Sequence, residues 1–364
     1  MKIMHIGQMT GGVYVYVRNT IQAADGRFDY VIVHGKRDKC RPVYSGGKTV
    51  PEITIDLAEE FDILRDIRAL IQTVNAIKRE RPDVIHCHSF KGGLIGRIAG
   101  WLTDTRTFFT PHAFSFLKGK TTHQRRFFKI IERLTKFDAR ILACSASEQI
   151  LAKNYVKYPH YRCLVWHNCA PQPVIDPEET TLPLPKRPFI LFIGRPSAQK
   201  NPLLFVEVAE KIRNQKPNSY FIMLGLGIRS AAFKKVQKAI EEKGLVKSVK
   251  ILNWADHDDA LNYLRNSLFY VSVSKYEGLS FSIVEAMSLG KAVVATNVPG
   301  NNDCVKDGVT GFLADDADSL AAASIRLLED VDLRQRMGQA GHEFYESSFN
   351  IHKRIDLLEE IYTR

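Results

Sequence analysis

The stretch "LFYVSVSKYEGLSFSIVEAMSLGKAVVATN", residues 268–297, contains the pattern of a buried strand, a glycine turn, a helix and a second strand. The runs "LFYVSVS" and "AVVATN" are rich in β-branched and apolar residues, as strands are, while "SFSIVEAMS" favours a helix that ends at Gly290. A strand, a helix and a second strand in this order predict two parallel strands joined by a crossover. The stretch therefore favours a parallel sheet covered by helices.

Strand candidates of the same kind recur along the whole chain, with helical segments between them. They are "KIMHIG", "DYVIVHG", "DVIHCH", "TFFTPHA" and "RILACS" in the first half, and "PFILFIG", "SYFIMLG", "VKILNW", "LFYVSVS" and "AVVATN" in the second. Residues 59–80 carry apolar side chains at helical spacing before Pro82, which predicts a crossover helix. The predicted fold class is α/β, with doubly wound parallel sheets.

A proline-rich segment divides the chain near its middle. Residues 171–188, "PQPVIDPEETTLPLPKRP", hold six prolines and little periodicity, as an interdomain linker does. The predicted domains are therefore 1–170 and 189–345, with 346–364 as a C-terminal helix able to pack back on the N-terminal domain. Ligands of such folds bind at the carboxyl ends of the strands, so the expected site is a cleft between two facing domains.

The charge is distributed unevenly. The formal net charge is +11, yet residues 1–170 hold 27 Lys and Arg against 15 Asp and Glu, whereas the remainder holds 24 against 25. We therefore expect the N-terminal domain to face an anionic partner, such as a phospholipid surface, a phosphorylated acceptor or a nucleic acid. Without an apolar run of about eighteen residues or a signal peptide, the expected location is the cytoplasm.

The six cysteines include no C-x-x-C pair, which favours reduced thiols. Cys163, His167 and Cys169 are possible metal ligands, but a strand followed by a turn is the favoured interpretation of that segment, because no fourth ligand lies nearby. No metal site is expected.

Two acids in the opening stretch are candidates for ligand binding. Glu277 follows the strand, and Glu285 falls in the first or second turn of the helix. Gly278 and the backbone N–H groups near Ser280 would open that helix toward a phosphate, while carboxylates accept hydrogen bonds from sugar hydroxyls. Together they suggest a nucleotide sugar. The alternative is that Glu277 caps the helix and Glu285 is merely exposed.

Two cations lie on an equivalent loop in "FIGRPSAQKNPLLFVEVAE", residues 192–210. Asn201 and Pro202 are suited to the N-cap and first position of a helix, which places Arg195 and Lys200 on the loop before it. There they would neutralise a diphosphate and the charge that develops on it as a glycosidic bond breaks.

The first half offers a glycine pair and a histidine. In "HIGQMTGGVYVYV", Gly11 and Gly12 follow the first strand and would let the backbone approach a ligand, although tight turns use such pairs as often. His112 follows the strand in "TFFTPHAFSF" and is equally suited to hydrogen-bonding a ligand, to moving a proton or to a structural role.

Residues 117–140 predict a basic amphipathic helix. Phe127, Ile130, Ile131, Leu134 and Phe137 fall on one helical face, so the cations would occupy the other face. The candidate residues for a membrane or acceptor side are Lys118, Lys120, Arg125, Arg126, Lys129 and Arg133. Docking to anionic lipid and a core-packed helix with a solvated basic face are equally compatible with this pattern.

These motifs resemble those of the retaining glycosyltransferases of family 4, which have the two-domain GT-B fold. The resemblance rests on "EGLSFSIVE" with its two glutamates, on "GRPSAQKN" and on "TGGVYVYV", with further similarity in "DVIHCHSFKGGLIGRIAG", "TPHAF" and "CSASE". It runs from about residue 3 to about residue 345, and the C-terminal motifs are its specific part. It implies two Rossmann-like domains that face each other across a cleft.

The resemblance also implies a role for each candidate residue. Glu285 would bind the ribose hydroxyls, Glu277 the donor sugar, and Arg195 with Lys200 the diphosphate. The amides of Gly278, Leu279 and Ser280 would assist the two cations. Gly11 and Gly12 would lie on the phosphate and acceptor side, and His112 would touch the transferred sugar. The proline after Arg195 departs from the family pattern.

The implied activity is that of a metal-independent, retaining glycosyltransferase without a cofactor, in which the diphosphate acts as leaving group and base. It would move a hexose or N-acetylhexosamine from a nucleotide sugar, with UDP favoured, to a lipid-linked or lipid-anchored saccharide. The expected process is the synthesis of a cell-surface polysaccharide such as lipopolysaccharide or capsule, by a protein peripheral at the inner face of the plasma membrane.

Three alternatives remain open from the sequence. A nucleotide-sugar 2-epimerase of the same fold would share the site but would turn over its donor without an acceptor. A basic nucleic-acid-binding protein would leave the loop motifs unexplained, so nucleic acid is not an expected partner. A non-catalytic sugar-binding protein would not need both acids and both cations.

Overall fold

The protein consists of two compact units, which we describe separately. The computed structural model describes residues 1–38, 41–58, 62–119, 121–175, 180–227, 231–253 and 255–364. The first unit comprises Met1–Pro171 together with Ile351–Arg364, and the second comprises Gln172–Asn350. The chain therefore leaves the first unit at Pro171 and returns to it with its last helix.

The first unit is built on a seven-stranded parallel sheet in the order β5-β2-β1-β6-β7-β8-β9. Its strands are β1 (Lys2–Ile6), β2 (Asp29–Gly35), the hairpin of β3 (Tyr44–Ser45) and β4 (Lys48–Thr49), β5 (Glu52–Ile55), β6 (Val84–His88), β7 (Arg106–Thr110), β8 (Arg140–Ala143) and β9 (Cys163–Val165). Its helices before the linker are α1 (Gly12–Ala24), α2 (Ile63–Glu80), α3 (Ser89–Leu102), α4 (Ser115–Lys118), α5 (Thr122–Leu134) and α6 (Ala146–Leu151).

The second unit has a six-stranded parallel sheet in the order β12-β11-β10-β13-β14-β15. Its elements are β10 (Ile190–Ile193), α7 (Pro202–Gln215), β11 (Phe221–Leu224), α8 (Ala231–Glu242), β12 (Val249–Leu252), α9 (His257–Asn266), β13 (Tyr270–Ser272), α10 (Phe281–Ser288), β14 (Val293–Thr296), β15 (Gly311–Ala314), α11 (Ala317–Glu329) and α12 (Val331–Ser348). The last helix, α13 (Ile351–Thr363), belongs to the first unit.

The predicted α/β class with two doubly wound sheets is confirmed, and a strand forms within each predicted run. Prediction missed the short strands β5 and β15 and the two-residue strands of the hairpin. The charged and turn-forming residues that flank these strands interrupt the apolar pattern. The segment that starts at Cys163 is a strand, as favoured over a metal site.

The predicted crossover helix at 59–80 forms as α2, while residues 59–61 lie outside the described residues. The Asp62 carboxylate caps the helix by accepting the Arg65 N–H at 3.1 Å. Three apolar side chains in the first turns of α2, Leu64, Ile67 and Ile71, are exposed.

The basic helix α5 is oriented differently from the expectation. Phe127, Ile130 and Leu134 are 52%, 52% and 73% exposed, so packing of the apolar face on the core is wrong for these three side chains. The buried residue of α5 is Glu132, whose carboxylate lies 2.8 Å from the Arg97 guanidinium of α3. The inward side of the helix therefore carries this ion pair together with Phe128, which packs against the core, while an apolar row and several arginines remain outside.

Among the described helices, none combines the length and apolar character needed to cross a membrane.

Candidate functional site

Glu277 is held by three side chains at the carboxyl end of β13. Its carboxylate accepts hydrogen bonds from Lys200 Nζ at 2.7 Å, Ser274 Oγ at 2.7 Å and Gln199 Nε2 at 3.0 Å. The residue is only 8% exposed, and its own N–H donates to the Pro299 carbonyl. Its orientation is therefore fixed, as a sugar-binding carboxylate requires.

The two predicted cations differ in their surroundings. Lys200 forms the ion pair with Glu277, and although burial opposes its charge, Glu277 outweighs that effect and raises the pKa of Lys200. Arg195 is exposed, but it lies close enough to Lys200 for the two charges to repel. The helix after this loop starts at Pro202 as predicted. Asn201 takes a left-handed conformation, and its side chain does not cap the helix.

Glu285 lies in the second turn of α10, where its carboxylate is 2.8 Å from His257 Nε2. The carboxylate is therefore not merely exposed, since its side chain is 13% accessible. Glu277 does not cap α10 either, because the N-cap residue is Ser280. His257 begins α9 and lies outside the sequence motifs. From the sequence we also expect the nucleotide base near "LNWAD", residues 252–256, and Trp254 of this segment lies outside the described residues.

Tyr270 on β13 connects the three charged groups. Burial raises its pKa, and Lys200, Glu277 and Glu285 are all close enough to affect that pKa. The structure therefore brings these three predicted residues together around one buried phenol, which sequence reasoning missed because a Tyr within a strand looks like a core residue.

The turn before α10 is buried rather than open. Gly278, Leu279 and Ser280 are all buried, and Ser280 is the N-cap residue although its side chain does not cap the helix. The Ser280 Oγ has no hydrogen-bond partner among the described residues, while its N–H lies against the Cys304 sulfur, whose pKa is raised by burial. An unpaired buried hydroxyl at a helix start is suited to meet a phosphate oxygen.

The glycine loop of the first unit lies at the start of α1. Gly11 is exposed and has φ 54° and ψ −131°, a conformation that strongly favours glycine, and α1 begins at the exposed Gly12. Asp38 anchors the loop by accepting the Met9 N–H at 2.8 Å and the Gly35 N–H at 3.1 Å. The sequence did not reveal Asp38, which lies far from the glycines along the chain.

His112 ends a chain of three imidazoles. His5 Nδ1 lies 2.9 Å from His88 Nε2, and His88 Nδ1 lies 3.1 Å from His112 Nε2. Burial lowers the pKa of His5 to about 3, and burial with the charge of Lys118 lowers that of His112 to about 3. Burial also holds the pKa of His88 well below its usual value, so all three rings are neutral at pH 7.

The neutral state limits the proton positions to two patterns. If His112 donated toward His88 and His88 toward His5, the buried His5 Nε2 would carry an N–H with no partner. In the opposite direction His5 Nε2 is an unprotonated acceptor without a partner, which costs less free energy than a buried N–H without a partner. We therefore assign His112 Nε2 as an acceptor and His112 Nδ1 as the nitrogen that bears the proton.

The fourth histidine, His86, belongs to a separate chain of hydrogen bonds. The Thr110 hydroxyl donates to the Leu142 carbonyl at 2.6 Å, so Thr110 Oγ1 accepts from His86 Nε2 at 2.8 Å. His86 Nδ1 then accepts from the Tyr362 hydroxyl at 2.6 Å. Tyr362 lies on α13, so the C-terminal helix contributes directly to the packing beneath His112.

Glu148 supports the backbone of the His112 loop. Its carboxylate accepts the N–H groups of Ala113 and Cys144, each at 2.8 Å. His112 and Ala113 have φ values of 50° and 73°, which are unusual for residues with a side chain. The last residue of "CSASE" therefore holds a strained loop in place.

The described residues include one histidine group with the composition of a metal site. Ring nitrogens of His5, His86 and His88 lie within 4.8 Å of one another, and all three side chains are buried. Five of these six nitrogens already take part in the hydrogen bonds with His112, Thr110, Tyr362 and each other. The His5 Nε2 atom alone does not make a metal centre.

The predicted basic residues divide into outward and inward groups. Lys118, Arg125, Arg126 and Arg133 are exposed, and Lys120 lies outside the described residues. Lys129 points inward, with its Nζ 4.2 Å from the ring centre of Tyr155, so it is not available as an outward cation.

Two known families match the two halves of the chain. Residues 177–344 match the family described as "Glycosyl transferases group 1", and residues 10–171 match "Glycosyltransferase Family 4". Over 320 residues the chain is 30% identical to "UDP-Gal:alpha-D-GlcNAc-diphosphoundecaprenol alpha-1,3-galactosyltransferase" of Escherichia coli, an alignment that covers 84% of this chain and 81% of that protein.

Solved structures show the same fold across the full chain. Sucrose-phosphate synthase from Thermosynechococcus elongatus superimposes with a TM-score of 0.81 at 20% identity, over 100% of this chain and 98% of that one. Anabaena HepE in complex with UDP-glucose gives a TM-score of 0.80 at 18% identity, over 100% and 99%.

Proposed function

The chain belongs to glycosyltransferase family 4, and from that premise we propose that it transfers a hexose or N-acetylhexosamine from a UDP-sugar to a saccharide carried on a lipid. The observation that carries the proposal is the fixed carboxylate of Glu277 beside Lys200, with Glu285 near the same buried Tyr270. Such a group of acids and a cation at the carboxyl ends of β10 and β13 suits a ligand with both sugar hydroxyls and phosphates.

In the proposed donor site, Glu285 accepts hydrogen bonds from the ribose hydroxyls, and His257 orients its carboxylate at 2.8 Å. Arg195 and Lys200 neutralise the diphosphate, assisted by the backbone of Gly278, Leu279 and Ser280. The unpaired Ser280 hydroxyl supports this placement, because a phosphate oxygen would give it the missing partner.

Glu277 acts in this proposal as a sugar-binding group and not as a nucleophile. Three donors already engage its oxygens, so the carboxylate lone pairs that a nucleophile would use are occupied. Retention of the anomeric configuration would then follow from departure and attack on the same face. The leaving diphosphate accepts the proton of the incoming hydroxyl, and Arg195 and Lys200 stabilise the charge that develops on it.

His112 contacts the transferred sugar in the proposal. Its Nδ1–H would donate a hydrogen bond to a sugar hydroxyl, and as a neutral ring it would not act as a charged acid at pH 7. The glycine loop at Gly11 and Gly12 lies on the phosphate and acceptor side, where exposed backbone allows close approach.

The acceptor is proposed to be a saccharide on a lipid diphosphate, as the name of the Escherichia coli relative states for that enzyme. The proposed process is the synthesis of a cell-surface polysaccharide at the inner face of the plasma membrane. The positive charge of residues 1–170 supports an anionic acceptor and surface. We further propose that the reaction needs no metal ion, since Arg195 and Lys200 supply the positive charge.

The donor assignment is tested by calorimetry with UDP, GDP, ADP and CMP. We expect UDP to bind most tightly and Glu285→Gln to weaken it by about tenfold or more, which corresponds to about 1.4 kcal/mol. Glu207→Gln, a change at an exposed glutamate of α7, is the matched control and should bind like the unmodified protein. If Glu285→Gln bound UDP as tightly as the unmodified protein, the assignment of Glu285 to the ribose would be wrong. Metal independence is tested separately: if EDTA abolished activity and Mg²⁺ restored it, the reaction would need a metal ion.

A further inference from the structure

The helix α5 has an unusual orientation for a surface helix. Its exposed face carries Phe127, Ile130 and Leu134, which follow one another at spacings of three and four residues and therefore form one row. The buried side instead carries Glu132, which is 1% exposed and paired with Arg97. A surface helix normally does the reverse, burying its apolar stripe and exposing its charges.

Cations flank this apolar row on one side. Arg126 and Arg133 each precede a residue of the row by one position, and both are exposed. Arg133 also donates from Nε to the Tyr155 carbonyl at 2.7 Å, so its terminal nitrogens are the atoms left to bind a phosphate. The only acid within α5 is the buried Glu132, so the outward surface of the helix is apolar and positive. The nearest acid after the helix, Asp138, lies 3.7 Å from the Arg162 guanidinium.

A partly exposed aromatic pair lies close to α5 along the chain, since Phe137 follows the last residue of that helix by three positions. Trp101, in the last turn of α3, is 55% exposed and stacks on Phe137 with ring centres 5.0 Å apart. Tryptophan is favoured where apolar chains meet polar headgroups, because its ring is apolar and its N–H is polar. We name Trp101, Phe127, Ile130 and Leu134 the apolar edge.

We propose that the apolar edge inserts into the headgroup region of an anionic lipid bilayer, with Arg126 and Arg133 binding the lipid phosphates. The proposal rests on the proposed function, for which it identifies the membrane surface. It also changes the predicted mode of docking, since apolar insertion and not cations alone holds the protein at the membrane. The charge of this surface indicates that its partner is an anionic lipid bilayer, because the apolar row complements the lipid chains and the arginines complement the lipid phosphates.

A second exposed apolar row on α2 does not enter the proposal. Ile63, Leu64, Ile67 and Ile71 are exposed there, but the first turn of that helix also carries Asp62 and Asp66. Carboxylates at this position would repel an anionic surface.

Flotation with vesicles of phosphatidylglycerol and phosphatidylcholine tests the proposal on the full chain. The triple variant F127S/I130S/L134S should bind about tenfold more weakly than the unmodified protein, because these exposed side chains contribute to insertion and not to folding. The matched control is L203S/V246S/V309S, which removes three exposed apolar side chains from the second unit and should bind normally. Equal binding by the first variant would overturn the proposal, as would no binding by the unmodified protein.

Trp101 provides an independent signal from the edge itself. Brominated lipids should quench its fluorescence in W166F/W254F, a variant that keeps Trp101 as its single tryptophan. No quenching would contradict insertion. A dimer in sedimentation that the same triple variant dissociates would assign the edge to a second copy of the chain and overturn the lipid proposal.

UDP binding, measured on the same triple variant, separates this proposal from the donor assignment. Normal UDP binding with weakened vesicle binding supports the membrane surface. If the unmodified protein bound vesicles normally but bound no nucleotide, the proposed membrane surface would stand and the proposed UDP-sugar donor would be wrong.

Discussion

His88 Nδ1 lies 3.1 Å from His112 Nε2, so a buried ring of the sheet sets the proton position of a ring at the candidate site. His5 continues the chain at 2.9 Å from the other nitrogen of His88. A histidine that looks isolated in "TPHAF" is thus the outer end of a network that starts on β1.

This network predicts the tautomer of His112. Nitrogen NMR on protein labelled at histidine should show the proton on Nδ1 of His112 and no titration of that ring between pH 7 and 5, because its pKa is about 3. A proton on Nε2, or titration of His112 near pH 6.5, would contradict the assigned direction of the chain.

Acid should destabilise the first unit steeply. His5, His86 and His88 have folded pKa values below 6.5, so below that pH the unfolded chain binds protons that the folded chain does not. Stability contributed by the neutral rings is present above pH 6.5 and is lost as the pH falls, by up to about 1.4 kcal/mol per pH unit for each ring.

Urea unfolding at pH 7.5, 6.5 and 5.5 measures this dependence in a W101F/W254F background, which keeps the buried Trp166 as its single fluorescent tryptophan. In that background His5→Gln should reduce the slope of the unfolding free energy against pH by the contribution of one ring. A stability independent of pH in this interval would mean that the histidines protonate within the folded unit.

Gly300 is predicted to be essential for the position of Glu277. A Cβ at residue 300 would lie 2.7 Å from the Glu277 Cβ and 2.7 Å from its carbonyl oxygen, at a φ of 86°. We expect Gly300→Ala to lower kcat/KM by about tenfold or more. Gly308→Ala has a similar φ of 72° but no atom within 4 Å, so it should cost about 1–2 kcal/mol of stability and keep its activity. Equal activities of the two variants would contradict the role given to the Glu277 position.

The buried Arg97–Glu132 pair should control the attachment of α5. Glu132→Gln leaves the Arg97 charge buried without its counterion, which we expect to cost about 3–5 kcal/mol in the free energy of unfolding. Arg97→Met combined with Glu132→Leu removes both charges and should recover most of that loss. If the double variant were less stable than Glu132→Gln, the pair would be stabilising in itself, against this prediction.

The sequence predicted the two parallel sheets, because strands are local patterns. Loop motifs are local as well, so Lys200, Glu277 and Glu285 were singled out as candidates from their own segments. Asp38, Glu148 and His257 were missed as supports because each is separated in sequence from the group it holds. The inverted orientation of α5 could not be predicted either, since it depends on Arg97, which lies on another helix.

The most direct test of the central proposal is transfer of a radiolabelled sugar from UDP-hexose or UDP-N-acetylhexosamine to a saccharide on a polyprenyl diphosphate, followed by NMR of the product. The account predicts a lipid-bound product with the anomeric configuration of the donor, and Glu207→Gln should form it at the unmodified rate. A product of inverted configuration would contradict the mechanism. Release of UDP and free sugar without transfer to any such lipid would contradict the proposed acceptor.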